Sequence, residues 1–206
     1  MADLPVPPWL WALLGAWVLG SIPVGYVLVK ARTGADVRAG GSGTVGARNV
    51  ARVLGWRGFV ATLLGDLLKG LGAVLLAQQV GPQELWVAVA ALLACVVGHD
   101  FPPWIGWRGG NGIAPLLGGL AGLDLEVLTG MGVVFALALL ARQARAWRRN
   151  LPLKAHLAGV VALLAVPALA VWRGWSVAPL GLLVATVGLI LATLWKAARF
   201  HVRGGG

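Results

Sequence analysis

Charge, and acid above all, is what this chain has least of. Asp and Glu number 7 against 17 Lys and Arg, and charged residues make up 12% of the chain, about half of the roughly 25% usual in soluble domains. A soluble domain of ordinary composition is thereby excluded. The single cysteine, Cys95, rules out a disulfide within the chain, and its apolar neighbours suit a small buried thiol rather than a nucleophile. There is no Gly-x-Ser-x-Gly elbow, no zinc-ligand pair and no Walker phosphate loop, so those three chemistries drop out and no metal or cofactor is expected.

What is present is apolar. Hydrophobic residues reach 59% and the mean hydropathy is +0.84. Apolar runs of the roughly 20 residues needed to cross a bilayer recur along nearly the whole length. The expected fold is an all-α integral membrane protein, one polytopic domain over residues 1–206. The first apolar stretch lacks an Ala-x-Ala-like cleavage site and is read as a retained helix.

Seven spans are expected, near residues 9–29, 58–80, 85–97, 112–122, 126–141, 157–172 and 178–195. Gly20-Ser-Ile-Pro23 should kink the first, and the fourth and fifth should turn at Asp124. Alternating the sides tests this count. One side receives Lys30, Arg32, Arg38, Arg48, Arg52, Arg57, Arg108, the cluster from Arg142 to Lys154 and the tail 196–206. The other receives Asp3, Glu84, Asp124, Glu126 and Arg173. Basic loops stay in the cytoplasm, so the amino terminus lies outside. The loops at about 30–57, 98–112 and 142–154, and the carboxyl terminus, lie inside. The net charge of +10 is thus a topology signal and does not form a nucleic-acid face. Most of the 11 tryptophans fall at span ends, as an interfacial belt does. The 142–154 run suits anchoring to anionic lipid, and His156 and His201 read as structural.

Two of the inner loops carry chemistry. Gly40-Gly-Ser-Gly-Thr-Val-Gly-Ala-Arg-Asn-Val-Ala-Arg52 is rich in glycine, which lets successive N–H groups converge on one anion. Arg48 and Arg52, four apart, share a helix face. Gly98-His-Asp-Phe-Pro-Pro-Trp-Ile-Gly-Trp-Arg-Gly-Gly-Asn-Gly112 sets His99 before a Gly-Gly-x-Gly turn that enters a helix, with Arg108 as a bidentate phosphate donor. Together they suit a phosphorylated small molecule. Asp66 and Lys69, three apart inside a span, read either as a functional pair or as an ion pair that fixes helix packing.

These residues resemble the bacterial PlsY family of membrane acyl-phosphate:glycerol-3-phosphate acyltransferases. The resemblance runs through Gly20-Ser-Ile-Pro-Val-Gly-Tyr26, Asp36-Val-Arg38, Gly41-Ser-Gly43, Gly46-Ala47 and Asn49-Val-Ala-Arg52. It continues through Leu54-Gly55, Asp66, Lys69-Gly70, Gly98-His99, Phe101-Pro102, Arg108-Gly-Gly110 and Gly112-Ile-Ala114. It implies acyl transfer from acyl phosphate to the 1-hydroxyl of glycerol 3-phosphate at the cytoplasmic surface of the bacterial inner membrane, with no covalent enzyme intermediate. Carried over by position, Ser42, His99 and Arg52 are the expected catalytic residues. The expected substrate-binding residues are Gly41, Gly43, Arg48, Asn49, Asp66, Lys69, Arg108, Gly109, Gly110 and Asn111.

The chain departs from the family pattern at Thr44, where asparagine is usual, and at Arg48, where threonine is. It departs again at Asn111, which replaces a lysine, at Pro115, which replaces a threonine, and in the tail motif. Arg48 is the candidate to restore the charge lost at Asn111. Two alternatives stay open beside the enzyme: a member that binds acyl phosphate or phospholipid without turnover, and a small organophosphate transporter.

Overall fold

A computed structural model of the chain describes residues 7–80, 85–126, 128–130, 133, 168, 171 and 172. Packing divides the chain into two compact units, Met1–Leu123 and Asp124–Gly206. Five helices build the first: α1 (Pro8–Ser21), α2 (Val24–Thr33), α3 (Ala47–Val80), α4 (Leu85–Asp100) and α5 (Ile113–Leu123). Short 3₁₀ turns at Val37–Ala39 and Pro103–Ile105 punctuate the two loops. Among the described residues three runs are long and apolar enough to cross a membrane, Pro8–Thr33, Ala47–Val80 and Leu85–Ile105. Beyond a few helical positions, the expected spans after 126, the 142–154 cluster, His156 and the tail with His201 lie outside the described residues.

Local chemistry explains the breaks. Pro23 has no N–H to continue α1, so the chain turns at Ile22 and restarts as α2. The first loop is shorter than the expected 30–57. Helix α2 continues to Thr33 and is closed by Gly34 at φ 71°, and α3 already begins at Ala47. The reason is burial: Val29, Val37, Val45 and Val50 form a small apolar cluster with Tyr26, Leu54 and Ile105 packed against it. That cluster stabilises helix on both sides of the glycine-rich turn. At Gly55, φ 66° and ψ −161° interrupt α3, a conformation essentially reserved for glycine. The helix therefore changes direction before entering its long apolar part. Residues 56–80, at about 1.5 Å each, then reach about 37 Å, enough for an apolar layer of about 30 Å.

At Asp124, where a turn was expected, α5 has ended. The Asp124 carboxylate accepts the Glu126 N–H at 2.9 Å and its carbonyl the Leu128 N–H at 3.2 Å, which starts a new helical stretch.

The helices meet through small residues. A side chain at Gly20 would run into the backbone of Cys95, and one at Gly98 into that of Trp17, so α1 and α4 touch backbone to backbone. Gly70 and Gly118 do the same for α3 and α5, against Pro115 and Leu67. Close approach of this kind replaces the hydrophobic drive that lipid removes. The distribution of polarity follows the same logic. Trp11, Leu14, Leu64, Leu68 and Leu75 are exposed, whereas Ser21, Thr62, Asp66, Lys69, His99 and Asp100 are buried. A molecule with polar groups inside and large apolar ones outside is built for a bilayer.

Candidate functional site

The first loop is shaped by Asn49, on the first turn of α3 and 3% exposed. Its amide nitrogen donates to the carbonyls of Val37 (2.7 Å), Thr44 (2.9 Å) and Gly40 (3.2 Å), and its oxygen accepts the Ser42 N–H at 3.1 Å. The side chain expected to bind substrate thus faces its own loop and sets the path of residues 37–44. Ser42 is left exposed, its hydroxyl 3.0 Å from that of Thr44. Thr44, where the family pattern has asparagine, thus meets the serine hydroxyl. Arg52 is exposed, one helical turn beyond Arg48, and its guanidinium lies against Gly41, where any side chain would collide with it. Gly46 accepts from the N–H groups of Asn49 and Val50, so α3 begins directly behind the loop and turns its positive end to it.

The second loop folds back on the end of α4. The Gly109 N–H donates to Asp100 O at 3.1 Å and the Gly110 N–H to His99 O at 3.0 Å. A side chain at Gly109 would strike the His99 carbonyl, and one at Gly110 the His99 ring itself. This pair is glycine because a backbone must lie flat on a histidine. His99 is consequently 4% exposed and forms a floor beneath the loop. Arg108 and Asn111 remain exposed on the rim. Gly112 then starts α5 by accepting the Leu116 N–H at 3.0 Å. Pro115 in that first turn has no N–H to leave unpaired, so Pro115 suits its place where a threonine was expected. Trp107, between the turn and Arg108, sits at φ 61°, the only positive φ on a non-glycine among the described residues.

Asp66 and Lys69 are 3% and 4% exposed and face inward. Lys69 Nζ lies 3.0 Å from Asp66 Oδ1 and donates to Gly20 O at 3.0 Å and Ile22 O at 2.9 Å. The ammonium thereby serves carbonyls at the α1–α2 break. The same Asp66 Oδ1 stands 3.6 Å from His99 Nδ1. The pair expected among the substrate ligands therefore supports the kink on one side and the histidine on the other.

One residue that carries the arrangement was read from sequence only as one of the basic loop residues and as part of the resemblance. Arg38 forks onto the Asp36 carboxylate, with contacts of 2.8–3.2 Å. Its Nη1 crosses to the second loop, donating to Ile105 O at 2.6 Å and Arg108 O at 3.2 Å. The guanidinium also covers Tyr26, 5.2 Å from the ring centre. The hydrogen bonds to Arg38 hold the Asp36 carboxyl below its usual range, and the same contact raises the Arg38 pKa. The Asp36-x-Arg38 spacing was the available signal; the carbonyls that Arg38 reaches, nearly seventy residues on, were not.

Comparisons with known proteins identify the family. The chain matches the family model described as glycerol-3-phosphate acyltransferase over residues 10–202. A protein of that name from Geotalea daltonii is 38% identical over 182 residues, 88% of this chain and 85% of the relative. Another from Geobacter metallireducens is 50% identical over 111 residues, 54% of this chain and 56% of that protein. Among solved structures, the glycerol 3-phosphate form of PlsY, an integral membrane glycerol 3-phosphate acyltransferase, superposes with a TM-score of 0.74 at 29% identity. It covers 95% of this chain and 90% of the other. Matched over residues 10–202 and by a relative 38% identical across most of both chains, this chain belongs to the glycerol-3-phosphate acyltransferase family.

Proposed function

We propose that this chain transfers a fatty acyl group from acyl phosphate to the 1-hydroxyl of glycerol 3-phosphate, giving 1-acyl-glycerol 3-phosphate for phospholipid synthesis. The reaction takes place at the cytoplasmic face of the bacterial cell membrane. The observation that carries this reading is the meeting of two glycine-rich turns. Each is rimmed by an exposed arginine and leads into a helix amino terminus, and Arg38 ties them together. Solved structures of PlsY hold glycerol 3-phosphate and lysophosphatidic acid, the acceptor and the product of such a transfer.

In the proposed reaction the acceptor hydroxyl attacks the acyl carbonyl carbon and the bond from that carbon to the phosphate oxygen breaks. Inorganic phosphate leaves with the electron pair and, in the balance, with the hydroxyl proton. Acyl phosphate is already activated, so the protein's task is to orient two anions and offset their repulsion. Arg52 and Arg108 take the phosphate charge, with Arg48 beside them. Ser42 hydrogen-bonds near the reacting oxygens, and His99 forms the floor that fixes Gly109 and Gly110. Asn111 presents an uncharged donor on the same rim.

The test is phosphate release by purified protein given palmitoyl phosphate and glycerol 3-phosphate. Wild type should yield inorganic phosphate and lysophosphatidic acid in equal amounts. Ser42→Ala, His99→Ala and Arg108→Ala should each lower the rate about a hundredfold, the scale of losing one positioned group. Ligand binding without turnover in a folded preparation would replace the enzyme by the non-catalytic reading.

A further inference from the structure

We infer that Arg38 is a positioning residue that sets the width of the phosphate site, by clasping the first loop to the second without touching either substrate. The inference rests on the function proposed above for the same site.

The geometry is specific to a guanidinium. Nε and Nη2 engage both oxygens of Asp36, two residues away on the first loop. That leaves Nη1 to point across the gap, where it serves two carbonyls of the second loop, Ile105 O at 2.6 Å and Arg108 O at 3.2 Å. Tyr26 of α2 closes one face of the guanidinium. The Arg38 backbone N–H also donates to Asp36 Oδ1 at 2.9 Å, so the anchor end is fixed before the far end is reached. A fork held at one end by a carboxylate and open at the other acts as a spacer of set length. Lysine has the charge but neither the plane nor the second arm.

What the spacer holds makes it functional. Arg108 O is the carbonyl of the very residue whose side chain is the second loop's exposed cation. Two residues on, Gly110 covers His99. Between Ile105 and Arg108 the chain adopts the positive φ at Trp107, a conformation that persists only where surrounding contacts over-determine it. The ties across this turn are the Trp107 N–H to Pro102 O at 3.0 Å, the Gly106 N–H to Pro103 O at 3.2 Å, and Arg38. The first two are local to the second loop, so they shape it without locating it. Arg38 is the hydrogen-bonded tie to the first loop, beside the packing of Ile105 on Val29, Val37, Val45 and Val50, and it fixes the second loop's register against Ser42 and Arg52. Loss of the clasp should leave both arginine rims present but not in register for one pair of anions.

Two readouts test this. Hydrogen exchange of Arg38→Lys and Arg38→Ala needs no turnover. The Gly109 and Gly110 amides should exchange at least about tenfold faster than in wild type, while the α4 interior from Val87 to Val96 keeps its protection. General unfolding would raise both, and unchanged glycine amides would overturn the clasp.

Kinetics supply the second readout. KM for glycerol 3-phosphate should rise about tenfold in both variants, the scale of one lost charge-assisted hydrogen bond, with kcat within about threefold. Asp36→Asn, which keeps the arginine but loosens its anchor, should fall between wild type and Arg38→Lys. A lysine variant with wild-type KM would overturn the inference while the proposed reaction stands. A wild type without turnover would remove the proposed reaction and leave the exchange result to decide the clasp.

Discussion

Asn49 directs every polar atom of its side chain to backbone, three carbonyls on one side and the Ser42 N–H on the other. The cost of changing it therefore depends on sign as well as size. Asn49→Ala removes the donors and leaves loop carbonyls unserved, a loss of about 1–3 kcal/mol for a buried group. Asn49→Asp keeps the shape but turns a donor into a carboxylate oxygen facing the carbonyls of Val37, Gly40 and Thr44. The prediction is that Asp is worse than Ala, with a lower melting temperature in detergent and less phosphate release. Thermal unfolding of the two purified variants checks the order, and an aspartate variant as stable as wild type would contradict it. At this scale the sequence singles out Asn49, and the structure turns its side chain toward its own loop. A polar side chain between glycines reads as a ligand-binding group. That Asn49 turns inward follows from Val50 beside it being drawn into the cluster with Val29, Val37 and Val45, a tertiary contact that no spacing announces.

At the scale of helices, the break at Pro23 was legible because proline removes a donor wherever it falls. The residue that completes the break was not, since Lys69 lies on another helix. Its ammonium serves two carbonyls, with Asp66 as counter-charge, so the three features form one unit: the kink, the pair, and His99 resting near Asp66. Removing one member of a buried pair typically costs about 3–5 kcal/mol, because the other charge is stranded. Lys69→Met should accordingly be the most destabilising single change here, leaving both a buried carboxylate and unserved carbonyls. Asp66→Asn added to Lys69→Met should recover part of that loss, though not the carbonyl contacts. Melting temperatures of the two singles and the double measure it. A double variant less stable than Lys69→Met alone would show that Asp66 has a stronger tie elsewhere than its lysine. The same scale explains the shortened first loop. Its charge suggested a long polar segment, yet Val50 and Leu54, four apart among those charges, sit at helical spacing and pack with Val29, Val37 and Val45.

For the molecule as a whole, the inverted polarity of the described bundle and its three long apolar runs fit a bilayer. The side each loop occupies rests on charge. Lys30, Arg32, Arg48, Arg52, Arg57 and Arg108 are all exposed in or beside the two glycine-rich loops. Arg38 bonds the second loop to the first, so these charges are expected on one side of the membrane. Translocating the two loops would carry every one of those charges across the membrane, which is why basic loops remain inside. The prediction is made with single cysteines, since the native Cys95 is fully buried. Ala39→Cys, exposed on the first loop, should react with a membrane-impermeant maleimide in inverted vesicles and not in intact cells. Glu84→Cys, in the expected outer turn 81–84, should show the opposite. Because both loops share one clasp, a cysteine at Trp104, exposed on the second, must follow Ala39. Labelling of the two loops from opposite sides would break the site apart, and labelling of both from outside intact cells would turn the whole bundle over and move the reaction to the other face.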